Sequence, residues 1–388
     1  MNTDILSLAQ PGQIELEISN PTQHAAQQRT QNLVYQKEKW QAYLNQLTLD
    51  SVISWLQEEV ETVISVSSQA SLLSSWTLVH GTAITLNQKR LILIPSEAID
   101  RGELRVPQEW IDIPNWAGDY YFAITVSPDD NRIQIWGYTT HLQLKEEGEY
   151  DNYHRYYVLN ADQIFDDVSA FWVAQELCPQ ETTRAVIPSL PQLSMEQAEN
   201  LLQRLSTSKT PEPRLAIPFN TWGALLSHDG WRQRLYERRQ GLPEQRSILQ
   251  WLESGVSQLA QQLGWRQLDW QSEFAGARGS TSPSVPTAFC RPITIQNHSY
   301  ELQVMPIGNP AERVWRFQLQ PTVIGEMIPA GFTLRLLSED LQPFENNEAS
   351  TSTPTESLYI DVAMAENEGI IWETEPQAEG YEREILRF

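Results

Sequence analysis

Cysteine, histidine and cationic side chains are scarce in this 388-residue chain, and each shortage closes off a class of function. Two cysteines, Cys178 and Cys290, are too few for a disulfide framework, so a reducing cytoplasm is the expected location. The six histidines form no HExxH or HxH pair, and no CxxC occurs, so neither a metal nor a cofactor is expected. Walker A, GxGxxG and GxSxG are missing as well. Lys and Arg number 27 against 50 Asp and Glu, a formal charge of −23 that disfavours nucleic acid and anionic membranes. Apolar runs such as Leu91–Pro95 are far too short to span a bilayer, and the first residues carry no basic n-region.

Aromatic residues, by contrast, are plentiful. Fourteen Trp and a hydrophobic content of 40% argue for a packed globular protein. The richest stretch is Val106–Leu144. Within it Tyr120–Val126 and Arg132–Tyr138 read as a hairpin around Ser127-Pro128-Asp129-Asp130-Asn131, where Pro presets φ and Asp and Asn bond their own backbone. The expected register sets Val126 opposite Ile133, Ile124 opposite Ile135 and Phe122 opposite Gly137. The other face then carries Tyr121 with Tyr138, and Ala123 with Trp136. Large aromatics on that face need a cover, either the helix expected over Asn160–Leu177, through Phe171 and Trp172, or a partner protein. Thr140 and Gln143 form a capping box for a short helix.

Elsewhere the patterns predict an α+β fold in several parts. Residues 1–180 read as a mixed domain around a small β-sheet or SH3-like barrel. It includes a helix over Thr22–Leu47, a second one capped at Asp50 or Ser51, a serine-rich connector over Ser65–Ser75 and the strand pair of Trp76–Pro95. Residues 181–274 read as a helical segment, with two short helices broken at Asp229-Gly230 and a longer one over Pro243–Leu263. Residues 275–288 read as a linker. Residues 289–388 carry seven short alternating segments, the pattern of an all-β sandwich, with Glu345–Glu356 as a mobile acidic loop inside it. Thirteen Asp and Glu against two Arg after Leu336 give that end a net charge of −11.

The segments RLILIPSEAID, VPQEWIDIPNWAGDYY, WGYTTHLQL, FNTWGALLSHDGWRQRLYERRQG and PAGFTLRLLSED…GIIWETEP…YEREILRF together resemble the cyanobacterial domain-of-unknown-function family DUF-1822. The resemblance implies a soluble cyanobacterial protein and supplies no catalytic residue. From the residues themselves, His80-Gly81 with a later cysteine is a weak match to Cys–His chemistry, because Cys178 stands before Pro179 and no caspase-type signature surrounds it. The expected function is a non-enzymatic interaction, regulatory or adaptor protein with a protein partner. The alternative is an enzyme, or a nucleic-acid-associated accessory, with a site assembled from scattered residues. The candidate interaction surface comprises Tyr121, Trp136 and Tyr138 of the hairpin, with Arg232, Arg234, Arg238 and Arg239 of the one basic cluster.

Overall fold

The computed structural model describes residues 12–59, 64–178, 180–268, 287–308, 312–323 and 325–388, and the fold is α+β. The chain divides into two compact units, residues 1–193 with 201–227, and residues 194–200 with 228–388. The expected helical middle segment is thereby shared between them, and most of the expected 275–288 linker lies outside the described residues.

The first unit begins with β1 (Ile14–Glu17), α1 (Asn20–Thr30) and α2 (Gln36–Glu59). Ser19 caps α1 by accepting from the Thr22 amide. The expected break near Asp50 does not occur, and α2 runs through it. Asp50 instead accepts from Gln46 and Arg29, so its carboxylate is satisfied without ending the helix. The serine-rich connector is likewise structured, as β2 (Ile64–Val66) and α3 (Gln69–Trp76), with the Ser68 hydroxyl accepting from the Ser71 amide. The unit continues with β3 (Thr82–Leu86), β4 (Lys89–Ser96), β5 (Glu103–Pro107), α4 (Glu109–Asp112), β6 (Tyr120–Ser127) and β7 (Arg132–Thr140). Then follow α5 (His141–Glu146), capped by Thr140 as expected, β8 (Glu149–Asp151), β9 (Tyr156–Asn160) and α6 (Ser169–Leu177).

Of the two expected forms, the centre is a sheet. It has six strands in the order β1-β7-β6-β4-β3-β2, with β4 and β6 parallel and joined by a crossover through β5 and α4. Tyr156–Asn160 pairs outside it, in the three-stranded sheet β5-β9-β8.

The hairpin register holds for Val126 opposite Ile133, Thr125 opposite Gln134 and Ile124 opposite Ile135. There a β-bulge adds Trp136 to the return strand, and the pairs beyond it shift to Ala123 opposite Gly137 and Phe122 opposite Tyr138. Gly137 is needed at this point. A Cβ there would stand 2.7 Å from Ile164 Cγ2 and 2.8 Å from the Phe165 carbonyl oxygen, because Ile164–Phe165 crosses directly over the strand. Tyr138 and Phe165 exchange backbone hydrogen bonds of 2.9 and 3.0 Å, an isolated bridge that holds this segment out of a helix. The helix expected from Asn160 consequently starts only at Ser169.

The second unit contains α9 (Asp229–Arg239), α10 (Ile248–Ser254) and α11 (Gln258–Gln262), while α7 (Met195–Leu205) straddles the division and α8 (Phe219–Ser227) closes the first unit. One helix over Pro243–Leu263 was expected. Gly255, at φ +84°, breaks it into α10 and α11.

Two sheets then enclose one apolar core that includes Trp251, Trp265, Phe289, Phe317 and Trp372. One consists of β10 (Arg266–Leu268), β11 (Ala288–Ile295), β12 (His298–Ile307), β13 (Val314–Pro321) and β16 (Leu358–Ala363) in that spatial order. The other runs β15 (Glu348–Ser350), β14 (Thr333–Ser338), β17 (Gly369–Glu375), β18 (Leu386–Arg387). Along β13 the residues Trp315, Phe317 and Leu319 point inward between Arg316 and Gln318, the alternation a sandwich face requires. The acidic segment Glu345–Glu356, expected as a loose loop, contributes β15. Its return is fastened where Ile328 and Thr355 exchange backbone hydrogen bonds.

Three buried glutamates recur in one arrangement. Glu109 accepts from both Nε and Nη2 of Arg214, at 3.0 and 2.8 Å, and from the Trp222 indole at 2.8 Å. Glu339 accepts from Arg234, Arg387 and the Trp231 indole. Glu384 accepts from Arg291 and from the indoles of Trp265 and Trp372. In each case a guanidinium supplies the counter-charge and an indole N–H occupies a further lone pair, which is what a buried carboxylate needs.

Candidate functional site

The residues singled out from sequence occupy different environments. Tyr121 is fully buried. Its hydroxyl donates to the Trp110 carbonyl at 2.6 Å and accepts from the Gly118 amide at 3.0 Å, and burial pushes its pKa upward. Tyr138 lies on the opposite side of the sheet, against Phe122 and under Phe171 of α6, with ring centroids 5.9 and 5.7 Å apart. Phe171 also meets Tyr120 and Phe122 edge-on, whereas Trp172 packs on Trp55 of α2. The bulge thus separates Tyr121 from Tyr138, which were expected together. Trp136 joins neither; it lines a cleft.

On α9, Arg232 pairs with Asp229, and Arg234 pairs with Glu199 and Glu339. Arg238 pairs with Glu199 at the surface, and Arg239 is buried. Apart from Arg238, these side chains are buried rather than offered to solvent.

The cleft that Trp136 lines has a volume of about 860 Å³ and opens at the C-terminal ends of β4 and β6. Its floor is apolar, formed by Leu44, Ile94, Leu104, Ile124 and Trp136, all buried. Its rim is the exposed segment Ser96–Glu103, with Arg105, His154 and Tyr156 opposite. His80 stands in the wall. Its Nε2 lies 2.6 Å from the Pro95 carbonyl oxygen and must be the donor there. Nδ1 is therefore an acceptor. It is buried and has no hydrogen-bond partner among the described residues. Burial holds the ring's pKa below that of free histidine, so the imidazole is neutral.

His80, His154 and Tyr156 also border a smaller cavity of about 180 Å³ against Lys37 and Pro211–Leu215. At this edge Asp151 accepts from the amides of Tyr153 and His154, from His154 Nδ1 at 2.9 Å and from Arg105 at 2.7 Å. Those bonds, led by the His154 amide, hold its carboxyl well below the usual range. Tyr156 lies between the guanidinium groups of Arg105 and Arg214, 5.3 and 5.0 Å from its ring centre.

A second large cleft, about 890 Å³, lies between α1, α2 and the turn Pro128–Asn131. Trp40 forms one side of it and reaches toward the first cleft, its indole N–H donating to Glu97 of that rim at 2.8 Å.

Sequence reasoning passed over His80 as a binding group, read His154 and Asp151 as polar surface, and placed Trp40 in the core of its helix. Trp40 shares a helical stripe with Leu44 and Leu47, so the pattern reads it as core, yet it is 44% exposed near the start of α2 while those two are buried. Among the described residues no cluster of His, Cys, Asp and Glu could hold a metal ion, and no helix is long and apolar enough to cross a membrane. The chain belongs to the DUF1822 family, described as a protein of unknown function, whose family model matches residues 16–387. No curated protein and no solved structure matches it.

Proposed function

For this DUF1822 chain we propose a non-enzymatic role, as an adaptor that holds a segment of a partner protein in the first cleft. The observation that carries the reading is the open cleft of about 860 Å³ itself, with an apolar floor, a polar rim and, in its wall, His80, whose Nδ1 has no hydrogen-bond partner among the described residues. A buried acceptor left unpaired costs about 1–3 kcal/mol, and a ligand N–H or O–H would recover that. A few placed polar groups over an apolar floor, in a volume of this size, is the usual build of a recognition pocket. Two cysteines in no disulfide fit a cytoplasmic setting, and the resemblance in sequence points to a cyanobacterial host.

An enzyme is the second reading, and it rests on Asp151 fixing the tautomer of His154 beside two clefts. The β8–β9 turn explains Asp151 equally well, since its carboxylate closes that turn through backbone amides. No hydroxyl or thiol is hydrogen-bonded to His154 among the described residues to serve as a nucleophile.

Selection of a displayed random-peptide library on the full chain tests the proposal. A recurring motif is expected, with affinity reduced about tenfold or more by His80→Leu and by Asp100→Lys, the latter an exposed change at the mouth. Failure to enrich a motif, or a motif indifferent to both changes, would overturn it.

A further inference from the structure

We propose that the second cleft, between α1, α2 and the Pro128–Asn131 turn, is a binding site for a neutral carbohydrate. The residues that line it are separate from those that line the first cleft, and the proposal does not depend on what the first cleft binds.

A sugar asks three things of a site: a flat apolar platform for its C–H face, groups that both donate and accept around its hydroxyls, and little net charge. Trp40 provides the platform. It is 44% exposed just before the buried run of residues 42–49 in α2, and Tyr43, one turn along the same face, packs against it with ring centroids 5.3 Å apart. The Glu97 carboxylate holds the indole N–H at 2.8 Å, so the ring is oriented before any ligand arrives and less entropy is lost on binding. The negative face of an aromatic ring favours the weakly positive C–H edge of a pyranose.

Primary amides supply the second requirement. Asn20, Gln27, Gln28, Gln31 and Gln36 line the cleft, and none of their side chains makes a hydrogen bond among the described residues. An amide presents two donors and an acceptor of two lone pairs, matching hydroxyls that do both. Gln23, by contrast, is committed to the Pro128 carbonyl and to Asn131, which ties the turn to α1 and closes that end of the cleft.

Charge meets the third requirement. Lys39 and Asp129 are the formally charged residues of the lining, and they balance. Lys39 already donates to the Gln31 carbonyl at 2.9 Å. A phosphate or a nucleic acid would need more cations than this. A lipid chain would need an aliphatic lining, and the apolar surface here comes from Trp40, Tyr43 and Pro128. A proline-rich peptide also docks on aromatic rings, but it offers few hydroxyls or amide hydrogens to five free amides, which is why the sugar is preferred.

Calorimetric titration of the full chain with cello-, xylo-, malto- and chito-tetraose is the test. At least one is expected to bind, with Kd on the order of 10⁻⁴ M. Trp40→Ala should weaken that binding about tenfold or more, while Trp40→Phe keeps part of it. Both variants should melt with wild type, since the ring is half in solvent. Gln27→Leu and Gln31→Leu should weaken binding without touching the platform. The proposal is overturned if no tetrasaccharide gives saturable heat up to about 10 mM. It is overturned equally if binding survives Trp40→Ala, or if the cleft takes a proline-rich peptide or heparin in place of every sugar.

Discussion

Replacing Glu384 by Gln keeps the shape of the side chain and removes its charge, so it isolates what the carboxylate does in the second unit. Glu384 is 1% exposed. Oε1 accepts from Arg291 at 2.5 Å, Trp372 at 2.9 Å and Trp265 at 3.1 Å. Oε2 accepts from Trp265 at 3.1 Å and faces Arg246 at 3.6 Å. Burial pushes this carboxyl upward in pKa, but Arg291 and Arg246 outweigh it and hold the group below the usual glutamate value, ionised. A glutamine offers one acceptor oxygen and turns an NH₂ toward indole or guanidinium donors. It leaves two nearly buried guanidiniums without a counter-charge. Removing one partner of a buried ion pair costs about 3–5 kcal/mol, and that is the expected loss. The orphaned indole donor is not added on top, because neighbouring losses overlap. Urea denaturation of the full chain, followed by a probe in the second unit, measures it. The double variant Glu384→Gln with Arg291→Met should cost less than the two single changes together, because it removes an unpaired charge as well as creating one. A loss below about 1 kcal/mol, or strict additivity, would show that the cage does not act as an electrostatic unit.

Other expectations concern the bulge and two buried titrating groups. Gly137→Ala should destabilise the first unit by about 1–3 kcal/mol, because the added methyl meets a backbone carbonyl that cannot swing away; an unchanged thermal midpoint would refute that. Glu237, pushed up to about 7 chiefly by burial, binds its proton more tightly folded than unfolded, so stability should fall by about 3 kcal/mol as pH rises from about 4.5 to 7. Glu237→Gln should flatten that fall, as denaturation at a series of pH values would show. His228, lowered to about 4 mainly by burial, behaves oppositely: the unfolded chain binds the extra proton, so about 3 kcal/mol should be lost as pH drops from about 6.5 to 4. His228→Asn keeps a cap for α9 and cannot titrate in this range, so the acid-side loss should disappear.

How far the fold could be read ahead depended on whether the deciding contact was local. The Thr140 cap, the Asp129–Asn131 turn and the alternation along β13 are settled within a few residues, and they stand as expected. The hairpin register was readable to Ile135. Beyond it the bulge depends on Ile164–Phe165 lying across Gly137, a contact from nearly thirty residues away that no periodicity announces. Asp50 looked like a cap because Asp prefers that position, yet Arg29 and Gln46 satisfy it inside a helix. The polar segment around Glu348 lacked apolar alternation. It became a strand because β14 offered an open edge, and Arg335 pairs with Glu348 across the two. The clefts were the least legible. Leu44, Ile94, Leu104, Ile124 and Trp136 come from four strands and a helix, and nothing in any one segment marks them as neighbours.

The composition itself was informative once its parts are matched. With 27 cations against 50 acids, the one basic cluster stood out as a candidate interaction surface. Instead, arginines of the WRQRLYERR run and its counterparts are held inward, where Arg214, Arg234, Arg291 and Arg387 neutralise Glu109, Glu339 and Glu384. Four of the fourteen tryptophans, Trp222, Trp231, Trp265 and Trp372, direct their indole N–H at the same carboxylates. Cations used in this way are withdrawn from the surface. The lining of the second cleft holds no guanidinium group, so beyond Lys39 and Asp129 it offers neutral dipoles and aromatic faces.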